Sequence, residues 1–392
     1  MTRVAYEPFD RDTWRDPFTL YRRLRDEDPV HKSPHGFWVL TRFQHVLEAV
    51  KDTATFSSAN GLTFQNEREV LHIPPTIVMM DPPDHTRYRR LADRGFTPRR
   101  TAELEPALRR FVVERIENLK RAGEGDFVAA VARSTPSWVV AHYLGVPEED
   151  RHRFEGWTQA FVQANALGNA TNAGEALSDL VRYFAELVER RRREPGDDLV
   201  SVLLRADQEG VGIGLEGILG YAFVMIAGGN DTTTGLLTGA AELLTKYPAE
   251  RRRLLADTSL IPNAVEEFLR LTTPVQGLCR VTTRDVTIDG GPTLPAGERV
   301  LLCYAAANRD PREFGPNAEE LDVGRHIVRH LAFSIGAHFC LGAAAARLQA
   351  RIVLEELLTR CPDFAVDAEA GVFAHGAFTR RYDSLPIVMG GR

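Results

Sequence analysis

The chain has 392 residues, 44% hydrophobic and 26% charged, with a formal net charge of −6. That length can bury a large core, the composition is that of an ordinary globular protein, and the acidic balance argues against a nucleic-acid partner. Its four cysteines form no CxxC pair or disulfide framework, residues 1–8 hold no apolar stretch of a secretory signal, and no apolar run reaches about 18 residues, so a soluble cytoplasmic protein without a membrane span is expected.

No repeat, low-complexity tract or linker divides the sequence, which predicts one domain over residues 1–392. In chain order, helical period runs through 20–26, 43–50, 103–121, 176–193, 215–247, 264–271 and 342–360. Pro195, Pro248 and Pro274 follow helical runs as stops. Strand character is confined to 37–40, to 280–288 ahead of a turn at 289–291, and to 300–303. The prediction is a mainly α protein with a minor β-sheet.

The 215–247 run contains a polar interruption, Gly228-Gly229-Asn230-Asp231-Thr232-Thr233-Thr234-Gly235. Interior glycines cost about 1 kcal/mol each in a helix, and a buried unpartnered Asp or Asn costs more. Two readings follow: a loop between two shorter helices, or one long helix locally opened so that Asp231 and Thr232 face a cavity.

Several motifs carry little weight alone. Residues 212–217 match GxGxxG, but a helical stretch precedes them and no βαβ unit surrounds them. Residues 332–336 resemble a GxSxG elbow with Ala332 at its first position and without a parallel α/β pattern, which discounts a serine hydrolase. Glu267 and Arg270 share a helix face within an apolar frame, which suits a buried structural ion pair. His85 and Arg89 share another face; beside Arg87, Arg90 and Arg94 this reads equally as a solvated basic surface.

Cys340 lies in Phe333-Ser334-Ile335-Gly336-Ala337-His338-Phe339-Cys340-Leu341-Gly342, just ahead of a helical run. It has three readings: a buried free thiol, a nucleophile with His338 or His330 as base, or a metal thiolate. Zinc is disfavoured, because His338 and Cys340 have no second ligand pair at usable spacing. A following helix N-terminus should lower the thiol pKa, and Gly336 and Gly342 leave room for a flat cofactor.

Taken in order, these segments resemble a soluble bacterial cytochrome P450, a haem-thiolate monooxygenase, over nearly the whole chain. Phe333, Gly336, His338, Cys340 and Gly342 resemble the haem-binding loop, and Gly228 to Thr232 resembles the oxygen-activating stretch of the long helix. Glu267-x-x-Arg270 follows, then Asn308-Arg309-Asp310-Pro311 with Phe314 and Leu321-Asp322, which resembles the meander before the loop. Asp81 to Arg87 resembles the start of the helix at the haem edge. Ser334 stands where bacterial members often carry glycine, and Gly228 where alanine is commoner; both are expected to be tolerated. Arg325 is a candidate to complete the Glu267–Arg270 cluster.

The resemblance implies the cytochrome P450 fold, with a long central helix over haem b. It implies Cys340 as the axial iron ligand, Phe333 beside its sulfur, and His85, Arg89, Arg280 and His338 as partners of the haem propionates. Asp231 and Thr232 would supply protons for oxygen activation, which argues against a peroxide-driven member lacking that pair. No flavin or iron–sulfur segment is present, so a separate ferredoxin with a ferredoxin reductase, fed by NAD(P)H, is implied, with Arg87, Arg90 and Arg94 as a docking surface. By family position the substrate pocket draws on 62–79, 161–167, 223–228, 274–278 and 377–379, mostly apolar, so a hydrophobic small molecule is expected. Steroid, terpenoid, polyketide and aromatic substrates stay open. The protein is expected to act as a monomer. Rival readings are a haem-thiolate enzyme of another reaction type (epoxidation, C–C coupling, nitration), a non-catalytic haem sensor or ligand carrier, and a Cys340-nucleophile hydrolase.

Overall fold

The computed structural model describes residues 6–390, apart from 8–9, 11–13, 65–75, 155, 158–173, 208–212 and 377. The longer helices are α1 (Phe18–Glu27), α2 (Phe43–Lys51), α3 (Asp84–Asp93), α4 (Pro98–Ala122), α5 (Ser134–Leu144), α6 (Gly174–Arg193), α7 (Leu199–Ala206), α8 (Gly214–Lys246), α9 (Pro248–Ala256), α10 (Ile261–Thr272) and α11 (Ala343–Arg360). Their ends follow local chemistry. Thr97 caps α4 by accepting from Arg100 N, with Pro98 in the first turn; Asp198 caps α7 by accepting from Ser201 N. Pro248, expected as a stop, also opens α9.

Helix α5 is the one whose periodicity gave least warning. Nine of its residues, from Ser134 to Leu144, are buried and only the Trp138 and His142 edge reaches the surface, so it has little polar face to mark the period. Helix α8 spans 33 residues, about 50 Å. It runs unbroken through Gly228–Gly235, so the polar stretch is neither a loop nor an interruption. The polar side chains offset their own cost by donating to carbonyls one turn back: Asn230 Nδ2 to Ile226 O (2.8 Å), Thr232 Oγ1 to Gly228 O (2.6 Å) and Thr234 Oγ1 to Asn230 O (2.9 Å). The glycines give close packing. A methyl group at Gly229 would lie 2.8 Å from Val140 Cγ2 of α5, and one at Gly239 would lie 2.5 Å from Thr272 Cγ2 of α10.

Strand structure is minor. Five short strands form a sheet in the order 30–32, 38–40, 299–302, 278–282, 56–57. Trp38–Leu40 runs parallel to 299–302, and the other pairings are antiparallel. The largest buried cluster joins α4, α8, α10 and α11.

One buried ion pair ties helix to loop. Glu267 and Arg270 of α10 are both fully buried and bonded twice, at 2.7 and 2.8 Å. Arg270 Nη1 also donates to the carbonyls of Asn308 (2.8 Å) and Ala318 (2.6 Å), while Arg325 Nε reaches Glu267 Oε1 at 3.1 Å. Asn308 carries the link onward: its Oδ1 accepts from Leu331 N (2.7 Å) and its Nδ2 donates to Thr273 Oγ1 (2.9 Å). Leu331 stands two residues before Phe333, so the approach to Cys340 is fixed from α10. Glu267→Gln leaves Arg270 a buried charge with a weakened partner, and should cost about 3–5 kcal/mol in urea unfolding. A loss below about 1 kcal/mol would show that the cluster does not hold the fold.

Candidate functional site

The Cys340 loop is built by a few backbone bonds. Ser334 N donates to Leu331 O and Cys340 N donates to Phe333 O, both at 2.9 Å. Gly336, with φ of +78°, turns the chain into a single 3₁₀ turn over Gly336–His338. Gly342 then caps α11. The Phe333 ring is 8% exposed and lies beneath the Arg347 guanidinium, 4.7 Å from its centroid. The expected depression of the Cys340 thiol pKa does not hold. Burial raises it, and a hydrogen bond from the Gly342 backbone, with the charges of Arg89 and Arg347, only opposes that rise. Left to itself Cys340 is a neutral thiol; a bound metal cation would displace the proton.

Neither candidate base serves a nucleophile here. His338 Nε2 is 3.2 Å from Ser58 Oγ, and its ring lies against that of His85 at 4.2 Å. His330 has both nitrogens occupied, Nε2 by Glu266 (3.1 Å) and Nδ1 by Ala332 N (3.2 Å). Among the described residues no group of three His, Cys, Asp or Glu side chains could hold a metal ion. A metal at Cys340 must therefore bring its remaining ligands with it, as a macrocycle does.

The second feature is a cluster of basic side chains, His85, Arg89, Arg280 and His338. His85 and Arg280 are each 3% exposed. Arg280 Nη1 donates to the Cys279 carbonyl at 2.7 Å, and among the described residues no carboxylate lies within ion-pair distance of Arg280. Arg89 donates to Phe339 O (2.5 Å) and pairs with Asp93 (2.9 Å). Burial, then the charges of Arg280, His85 and Arg89, push the His338 pKa down to about 3. Burial and Arg89 also lower that of His85. Arg280 is the cation left without an anion, and a carboxylate of a haem would supply one. Gly228 of α8 faces open space: a methyl group there would meet nothing within 4 Å. Lone thiol, buried Arg280 and open helix face together fit haem.

Asp231 lies on α8 with its carboxylate 23% exposed. Burial raises its pKa, against the charge of Arg381, whose Nε is 2.7 Å from Oδ1. Ser58 and Arg381 are contacts that the sequence did not point to; each is far along the chain from its partner, and no local pattern marks it. Ser334 is a further surprise. Its φ is +55° and its buried Oγ has no hydrogen-bond partner among the described residues. Of the expected pocket segments, 161–167 and most of 62–79, with residue 377, lie outside the described residues. Ser334→Gly should relieve backbone strain and an unpaired hydroxyl, raising stability by about 1 kcal/mol in urea unfolding. A loss of similar size would show that the hydroxyl has a partner.

Comparisons with known proteins follow the same lines. A family model described as cytochrome P450 matches residues 157–366. The chain is 52% identical to cytochrome P450 130 of Mycobacterium tuberculosis, covering 99% of each. It is 37% identical to a vitamin D(3) 25-hydroxylase of Pseudonocardia autotrophica, covering 99% of this chain and 97% of the relative. Among solved structures, cytochrome P450 CYP109Q5 from Chondromyces apiculatus superposes with a TM-score of 0.89 at 32% identity, covering 99% of each chain. CYP109E1 from Bacillus megaterium, solved in complex with testosterone, gives 0.86 at 31% identity, covering 96% of this chain and 100% of that one.

Proposed function

The chain belongs to the cytochrome P450 family, and from that premise we propose that this monooxygenase hydroxylates a hydrophobic small molecule, acting as one domain with electrons from a separate ferredoxin-type donor. The observation that carries the reading is the lone Cys340 thiol in the same site as a buried Arg280 that has no carboxylate partner among the described residues. Cys340 would hold the iron, and His85, Arg89, Arg280 and His338 the propionates. When bound, haem supplies the oxidising chemistry that cleaves O2 and inserts one oxygen atom into a C–H bond. The balance is one C–H bond, one O2, two electrons and two protons, giving one alcohol and one water.

The chain's own residues supply orientation, protons and exclusion of water. Phe333 covers the thiol side. Thr232 is the hydroxyl nearest in sequence to the acid Asp231, and its Oγ1 is held in place by Gly228 O. Asp231 holds the proton at its carboxylate, where burial favours the neutral form. Thr232 Oγ1 takes that proton and gives up its own toward the reacting oxygen. Relatives named for vitamin D(3) hydroxylation and polyketide biosynthesis, and a structural neighbour solved with testosterone, support a bulky hydrophobic substrate. No helix among the described residues is long and apolar enough to cross a membrane.

Helix α3 offers the donor-docking face. Arg87, Arg90 and Arg94 are exposed along it, and the Tyr221 hydroxyl of α8 anchors it at Tyr88 O (2.6 Å). Charge steering would bring an acidic ferredoxin to that face.

Thr232→Ala should divert electrons to hydrogen peroxide and lower product formed per NAD(P)H by about tenfold or more, with substrate affinity kept. Unchanged coupling would remove Thr232 from the proton path. Arg90→Glu should slow donor-dependent reduction, most at low ionic strength, and leave the substrate-binding spectrum unaltered. Equal reduction rates in the variant and the parent would exclude this face as the dock.

A further inference from the structure

Gly235 stands one helical turn beyond Asp231, on the same face of α8. A methyl group there would lie 2.7 Å from the Arg380 carbonyl oxygen and 3.4 Å from Arg381 Cβ. The bare glycine thus lets residues 380–381 lie directly on the helix. That approach brings Arg381 Nε to 2.7 Å from Asp231 Oδ1. Arg381 is 5% exposed, and a guanidinium so buried requires a carboxylate. It has two, for Nη1 also contacts Asp383 Oδ1. Asp383 is 45% exposed and lies 3.8 Å from Arg133 Nη2. The same segment joins the expected pocket wall: Thr379 bridges Val275, and Arg380 N donates to Pro274 O at 2.8 Å.

We propose that Arg381 is the positioning residue of the acid Asp231, and that Asp383 is the second carboxylate that makes its grip releasable. The proposal rests on the reading of Asp231 as the proton donor to Thr232. Arginine stays protonated in proteins, so Arg381 is no link in the proton path. While it contacts Asp231 its charge favours the ionised carboxylate. Burial pulls the other way, so Asp231 released from Arg381 takes a proton from water. It passes this proton to Thr232 Oγ1, the hydroxyl's own proton moves on, and Asp231 returns ionised to Arg381. One proton enters and one leaves, and no electron moves. With Asp231 away, Arg381 still faces Asp383, so release leaves no unpaired buried charge. The charged groups around Asp231 are Arg381, Asp383 and Arg133.

The test is an infrared titration of the Asp231 carboxyl in the resting holoenzyme, assigned by the band that Asp231→Asn removes. Arg381→Met should raise the midpoint by about 1–3 pH units, the effect of one nearby opposite charge. Asp383→Asn should lower it, since a like charge and a competitor for Arg381 are both gone. Arg381→Lys keeps the charge and should return the midpoint toward that of the parent. Shifts of opposite sign from two neighbours do not arise from a loosened fold. An unmoved midpoint in Arg381→Met, or shifts of one sign in both variants, overturns the proposal. Should Arg381→Met fail to fold, Asp383→Asn decides alone, and an unmoved or raised midpoint overturns it. Unchanged electron-to-product coupling in Asp231→Asn overturns instead the premise that Asp231 is the acid, and the positioning role with it.

Discussion

The buried pair of Glu267 and Arg270 must find all its partners inside the protein, because neither side chain has water to fall back on. Each hydrogen bond that meets this demand fixes another piece of chain. The carbonyls of Asn308 and Ala318 and the side chain of Arg325 are drawn to one point, and Asn308 then holds Leu331. A second junction lies beside it: Glu266, on the neighbouring position of α10, binds Arg347 of α11 and His330 of the loop. Those bonds outweigh burial and hold the Glu266 carboxyl down at about 2. The segment bearing Cys340 is therefore clamped from one helix at both ends. A ligand thiol placed by rigid elements keeps its geometry without help from its own neighbours.

The site holds a buried charge, Arg280, with no carboxylate against it among the described residues. Burial, and then neighbouring positive charge, lowers the proton affinity of His338 and His85 beside it. A fold selected for stability alone would place a carboxylate beside Arg280. Cys340 presents the matching case, a partly buried thiol whose surroundings disfavour its charged form. Both departures have one remedy, a ligand that brings a cation to the sulfur and an acid to Arg280. Asp231 differs, since its carboxylate lies against Arg381 and so is balanced before any ligand arrives.

The mainly helical class, the long central helix and the sheet pieces at 38–40 and 299–302 were legible because their periodicity is local. The Cys340 segment and the Glu267–Arg270 pair were legible because their spacing is short. Helix α5 was not, since burial of all but its Trp138 and His142 edge leaves little amphipathic contrast. The polar stretch of α8 read as a defect because the cost of Asn230 and Thr232 is visible in sequence, whereas their bonds to carbonyls one turn back are not. The descending pKa expected for Cys340 came from counting one helix terminus and omitting burial, which outweighs it. Arg381 and Ser58 meet their partners only through tertiary folding, about 150 and 280 residues along the chain, and no motif announces either.

The reading turns on whether Cys340 is bound to iron as a thiolate. The absorption spectrum of the reduced protein under carbon monoxide reports that bond directly. A Soret band strongly shifted to the red, and lost in Cys340→Ala, is the predicted result. A band without that shift in the parent, or the same shift surviving in Cys340→Ala, would contradict it.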